Sequence, residues 1–122
     1  MRLSLAILAP VLLASSAAPD VRRPAQELAG RTAAAPERCV PIREASALRV
    51  SDSDTHILLY GSGKTIWAND LGHCSLRSGD VLISEPLGSH YCRGDVIRSV
   101  DSVTRTIPGP VCVLGDFVPY NR

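Results

Sequence analysis

His56-Ile57-Leu58-Leu59-Tyr60-Gly61-Ser62-Gly63-Lys64-Thr65-Ile66-Trp67-Ala68 is the stretch whose reading decides the fold. Ile57 to Tyr60 is a continuous apolar run of strand length, and Thr65 to Ala68 carries the β-branched and aromatic residues that suit a pleated surface. Gly61-Ser62-Gly63-Lys64 joins them with two glycines, which are free to take turn conformations. Two strand-like runs with a short glycine-bearing connection read as a β-hairpin.

The same signals recur outward from this hairpin. Ala47 to Val50 alternates, and Ser51-Asp52-Ser53-Asp54 is a turn of residues that bond their own backbone. Asp80 to Ser84 and Asp95 to Val100 are two more strand-like runs. Ile107-Pro108-Gly109-Pro110 fits a type II turn, and Val111 to Val118 forms a last strand with Gly115 as a bulge. Within the core a single helical turn fits only around residues 43–47, and upstream a brief helical turn fits around residues 25–29. These features predict an all-β fold, a small antiparallel barrel or sandwich of about six short strands. Trp67 and Phe117 are expected in its core, and Tyr60, Tyr91 and Tyr120 at its rim.

Upstream, Met1-Arg2 is followed by an almost wholly apolar run from Leu3 to Leu13, then by small residues from Ala14 to Ala18. These are the parts of a secretory signal peptide. The apolar run is about 11 residues, too short for a membrane span of about 20. Cleavage is expected after Ala17, because cutting after Ala18 would leave Pro19 at the first mature position. Residues 1–17 are thus read as a signal peptide. Residues 18–38 are read as a disordered linker poor in large apolar side chains, and residues 39–120 as the β domain.

That domain is small enough to need help from covalent links. Four cysteines, Cys39, Cys74, Cys92 and Cys112, follow the export signal, and an even count in an oxidising compartment argues for two structural disulfides. Three connectivities are open. The nested arrangement, 74–92 inside 39–112, is expected because it ties the first strand to the last and pins a central loop. In the chain-entropy model those bridges stabilise by about 3 and somewhat over 4 kcal/mol.

Removing Arg2 with the signal leaves 12 of the 13 basic side chains against 12 acidic ones. A net charge near zero argues against general affinity for nucleic acid or anionic membrane.

Cys92-Arg93-Gly94-Asp95-Val96-Ile97 and the ending Cys112-Val113-Leu114-Gly115-Asp116-Phe117-Val118-Pro119-Tyr120 resemble a group of short exported proteobacterial proteins known only as a domain of unknown function. Cys39 opening the domain, and Asn69-Asp70-Leu71 shortly before Cys74, belong to the same likeness. It covers about residues 39–120. It implies an exported cysteine-containing domain, and it implies no catalytic residue, cofactor or substrate.

Candidate chemistry is sparse. Gly63-Lys64-Thr65 ends like a phosphate-binding loop, yet the glycine required five positions before Gly63 is Leu58, and a strand follows instead of a helix. His73, Cys74, His90 and Cys92 supply zinc-ligand chemistry at a spacing that matches no common structural pattern, and disulfides would consume the thiolates. His73 or His90 could serve as the base of a small hydrolase, although no Gly-x-Ser-x-Gly elbow is present. Glu44 and Glu85 are two acids in loop contexts and make a weak glycosidase pair. Arg93-Gly94-Asp95 spells an adhesion tripeptide but reads as a turn entering a strand.

The sequence therefore points to a non-catalytic exported domain, without cofactor, that binds a protein or envelope partner. Its contact candidates are loops 61–64 and 70–79, with Ser62, Lys64, Asp70 and His73 as the presented side chains. The alternatives are a hydrolase using His73 or His90, and a metal carrier using His73, Cys74, His90 and Cys92.

Overall fold

A computed structural model describes residues 4–7, 9–11, 25–43, 47–86 and 88–122. The chain is all-β and antiparallel, with one 3-10 turn, Gln26–Leu28, as its only helical element among these residues. Ten short strands form in order: β1 (Thr32–Ala33), β2 (Cys39–Pro41), β3 (Arg49–Val50), β4 (Ile57–Tyr60), β5 (Thr65–Asp70), β6 (Val81–Ser84), β7 (His90–Cys92), β8 (Val96–Val100), β9 (Cys112–Val113) and β10 (Phe117–Asn121). They make a five-stranded sheet β1-β10-β5-β4-β3, a pair β2-β7 and a three-stranded sheet β6-β8-β9. None of these sheets closes on itself, so the barrel form of the expectation is replaced by open sheets packed around a shared core.

The hairpin of β4 and β5 sits at the centre. Tyr60 pairs with Trp67 and Ile57 with Asp70, and all four side chains of β4 are buried. Alternation explains why the run is apolar throughout: each face of this sheet has its own cover. Leu58 and Tyr60 join Val40, Leu71, Leu76, Ile97, Cys112, Leu114 and Phe117 in the main core, which lies against β2, β8 and β9. Ile57 and Leu59 join Ile66, Ala68, Ala25 and Leu28 on the opposite face.

That second cluster corrects the expected spacer. Residues 25–38 belong to the fold, because Ala25 and Leu28 cover an apolar sheet face and β1 pairs with β10 at the sheet edge. Glu27 holds the segment in place. Its carboxylate accepts hydrogen bonds from Ser51 Oγ (2.8 Å), Ser53 Oγ (3.1 Å) and the Asp52 amide (3.0 Å). The 51–54 turn is itself organised by Ser51 Oγ, which accepts from the amides of Ser53 and Asp54, as its composition implied. The expected cleavage point at Ala17, the linker residues 18–24 and most of the 43–47 turn lie outside the described residues.

The disulfides also differ from expectation. Cys39 bonds Cys92 and Cys74 bonds Cys112, an interleaved pattern in place of the nested one. Strand pairing dictates it. β2 runs beside β7 with Cys39 directly opposite Cys92, and Cys112 is buried on β9 opposite Ile97, facing the core that Cys74 adjoins. Neither β2 nor β7 stood out as a strand in the sequence, so that adjacency was invisible there.

The last expected strand is two strands in different sheets. β9 belongs with β8 and β10 with β5, and Gly115 lies between them. Asn69, fully buried, donates from Nδ2 to the Gly115 carbonyl (2.8 Å) and accepts from the Gly115 amide at Oδ1 (2.8 Å). A Cβ on Gly115 would come within 3.0 Å of the Asp70 carbonyl. The glycine therefore permits a close crossing where a bulge was expected. The type II turn at 107–110 is likewise absent. Gly109 is not at positive φ, its amide donates to the Ser99 carbonyl (2.9 Å), and Pro108 bridges to Val100. Any side chain at 109 would fall on Ser99 Oγ, which is why glycine is needed there.

Candidate functional site

The expected contact residues divide between the two ends of one hairpin. Ser62 and Lys64 are exposed in the β4–β5 turn, where Gly61 and Gly63 both take positive φ as a hairpin connection requires. Asp70 ends β5, and His73 lies in the next turn, where Asp70 Oδ1 accepts from the Gly72 amide (2.7 Å). About five residues of extended strand, roughly 17 Å, separate the two groups. They make no single site.

The turn end carries the better-built feature. Arg43, Tyr60, Gly61, Ser62, Lys64, Thr65 and Trp67 line a groove of about 390 Å³, within the range of small-ligand sites. Its aromatic wall is held from behind. Tyr60, expected at the rim, is buried, and its hydroxyl donates to the Pro41 carbonyl (2.6 Å) while accepting from the Arg43 amide (2.9 Å). Tyr91 packs edge-on against it, with ring centroids 5.7 Å apart, and Trp67 lies tilted at 5.9 Å. Trp67, expected in the core, is half-buried at the groove, and its indole N–H donates to Glu37 Oε2 (3.1 Å). Gly61 lies under the indole, where a Cβ would come within 3.0 Å of the ring.

Cations gather around this end. Arg43 and Lys64 line the groove. Arg49 donates to the Gly61 carbonyl (2.9 Å), and Arg31 to the Lys64 carbonyl (3.1 Å), which also accepts from the Arg122 amide (3.0 Å). The Arg31 guanidinium is held below its ordinary value, first by desolvation and then by the nearby charge of Arg122. Among the described residues none of these five side chains has a carboxylate partner; the ion pairs there are Arg77–Asp80 and Arg93–Asp116. A chain nearly balanced in total charge thus gathers basic side chains about one turn, with the Glu37 carboxylate on Trp67 beside them, a grouping that whole-chain counting concealed.

The catalytic and metal alternatives find less. His56 Nδ1 lies 3.1 Å from the carbonyls of both Gly72 and Cys74, so that nitrogen carries the proton and donates to them. His73 is exposed. His90, exposed on β7, meets only the neighbouring Ser89 hydroxyl (3.1 Å) among the described residues, none of which sets a carboxylate on its ring. Cys74 and Cys92 belong to two different disulfides, so the four-ligand set His73, Cys74, His90, Cys92 has no thiolate to offer. No group of three or more His, Cys, Asp or Glu among the described residues is placed to hold a metal ion. Glu44 lies outside the described residues, and no pairing with Glu85 can be drawn. Arg93-Gly94-Asp95 connects β7 to β8. Asp95 Oδ2 accepts from the Cys92 amide (2.8 Å) and Gly94 takes positive φ, so the tripeptide is a turn. No helix among the described residues is long and apolar enough to cross a membrane.

Searches against protein-family models, curated proteins and solved structures return no match for this chain.

Proposed function

We propose that this chain is an exported, non-catalytic binding domain whose contact region is the cationic, aromatic groove at the β4–β5 turn. The observation that carries this reading is the pair Arg43 and Lys64 lining the groove beside Trp67 and Tyr60, with Arg31 and Arg49 on the carbonyls of the same turn, none of the four having a carboxylate partner among the described residues. Charges left uncompensated at a concave, aromatic-walled site favour an acidic partner, by steering its approach and by direct pairing. Two disulfides in so small a fold are consistent with an oxidising compartment outside the cytoplasm, as the signal-like N-terminus suggests. The cross-links also keep the groove preformed, which lowers the ordering cost of binding.

Trp67 is the sole tryptophan, so its fluorescence reports directly on the groove. The oxidised chain starting at residue 18 should show saturable change in that signal on titration with an acidic oligosaccharide such as tetragalacturonate, or with a hexaglutamate peptide. The response should weaken with salt and disappear in Lys64→Glu and Arg43→Glu, while His73→Ala and His90→Ala leave it intact. Silence toward both probes at low salt would overturn the reading. Loss of binding in either histidine variant would favour the hydrolase alternative.

A further inference from the structure

We infer that the outer face of the three-stranded sheet β6-β8-β9 is an interface between two copies of this chain. The register defines the face. Val81 is opposite Val100, Ile83 opposite Arg98, and Val96 opposite Val113. Ile97 and Ser99, which alternate with these on β8, are buried and point to the core, so Val96, Arg98 and Val100 point outward with Val81, Ile83 and Val113. Ile83 is 41% exposed, Val96 44% and Val113 55%, and Val111 and Ile107 flank them at 53% and 55%. Val96 and Val113 lie side by side and Ile83 sits next to Arg98, so the face mixes apolar and charged side chains.

The charges on this face identify the occupant. Arg98 and Glu85 line one hollow of about 320 Å³ together with Ile83, Val96 and Gly94. Both are exposed, and neither makes an ion pair or side-chain hydrogen bond among the described residues. Carrying the β6–β8 register one residue past Ser84 sets Glu85 opposite Val96, so that Arg98 and Glu85 take opposite corners of a square whose other corners are Ile83 and Val96. A two-fold axis lying in the face along the Ile83–Val96 diagonal sets Arg98 over the partner's Glu85 and Glu85 over the partner's Arg98. It also stacks the two apolar corners on their own copies. The face is thus self-complementary, the requirement of an isologous contact. The two sheets would cross steeply, one of the two ways in which sheets stack. A mature net charge near zero adds no long-range repulsion between copies. Three short strands offer a patch of roughly 15 by 15 Å, well under the usual ~800 Å² per partner, so the dimer is weak, with Kd in the range of about 10–1,000 μM.

Sedimentation equilibrium of the oxidised chain from residue 18, up to about 1 mM, should show a monomer–dimer equilibrium. Arg98→Glu and Glu85→Arg should each raise Kd at least about tenfold, since each variant sets like charges face to face twice. Mixing those two single variants should restore association as a heterodimer, because both contacts become opposite in sign. The double variant should regain the homodimer. Near-UV circular dichroism verifies that each variant keeps its fold, and Val96→Ser supplies an uncharged disruption of the same face. A chain that is monomeric at 1 mM would overturn the inference. A dimer indifferent to both reversals, or a mixture no tighter than its components, would do the same.

Discussion

Asn69 is the residue whose side chain holds the two sheets in register. It is an amide without solvent access, and it completes both backbone groups of Gly115 where the chain leaves one sheet for another. Asn69→Leu keeps the branched outline, with added bulk, but strands an amide and a carbonyl, each at about 1–3 kcal/mol. The expected loss is about 2–5 kcal/mol in urea unfolding. Gly115→Ala, which forces a methyl toward the Asp70 carbonyl, should cost about 1–3 kcal/mol by overpacking. Equal stability of Asn69→Leu and the parent would refute this role. Nothing local in the sequence announces it, because Asn69 and Gly115 are 46 positions apart and their bond depends on strand order. Tyr60 was misplaced for a related reason. A tyrosine reads as amphipathic, and only the fold reveals that Pro41 and Arg43 satisfy its hydroxyl away from water.

Among the elements, runs with apolar or alternating pattern were legible, even at sheet edges such as β3 and β6, and the shortest unpatterned ones were not. The β4–β5 hairpin and the runs that became β6 and β8 declare themselves, since four or more apolar or alternating residues leave little choice of structure. β1, β2 and β7 are two or three residues long and have no periodicity to read. The groove was half legible. Glycines and Lys64 flag the turn, but the side chains of Arg31 and Arg49 and the backbone of Arg122 reach its carbonyls from distant segments. The single turn at 26–28, of good helix formers but too short to stand alone, shows how a brief element is kept. Glu27 is pushed up by its partial burial, but its own amide, Ser51, Ser53 and the Asp52 amide outweigh that and hold the carboxyl below its ordinary value. A lowered carboxylate stabilises the fold above the unfolded-state pKa, and that contribution fades as pH falls through the folded one. Glu27→Gln should therefore lower the urea midpoint at pH 7, and the gap from the parent should narrow as pH falls below the ordinary carboxylate range. A gap independent of pH would show that the charge is irrelevant. Asp101 organises the loop after β8 in a similar way, accepting from the amides of Thr104 (2.7 Å), Thr106 (3.1 Å) and Ile107 (2.9 Å). These bonds hold its carboxyl far below the ordinary range, first through the Thr104 and Ile107 amides. Asp101→Ala should speed hydrogen exchange at those three amides and leave exchange in β4 and β5 unchanged.

For the whole molecule the decisive question is how a thin core and two covalent links share the work. Fully burying a side chain such as Leu58, Leu76, Ile97 or Phe117 contributes about 1.5–3 kcal/mol relative to exposure. Closing loops of 53 and 38 residues stabilises by about 4 kcal/mol each in the chain-entropy model, so one bridge equals one or two core residues. Because the loops interleave, each constrains a segment that the other also spans, and their contributions are not additive. Replacing either pair with serine should cost about 2–5 kcal/mol, and loss of both should leave the chain unfolded at 37 °C. The pairing has its own direct test. Cleavage after arginine and lysine places Cys39 in residues 39–43, Cys74 in 65–77, Cys92 in 78–93 and Cys112 in 106–122, so every cysteine has a separate peptide. Non-reducing digestion should give 39–43 joined to 78–93, and 65–77 joined to 106–122. Finding 65–77 joined to 78–93 would restore the nested arrangement, detach β2 from β7, and remove the covalent tie between the turn after β5 and the buried end of β9.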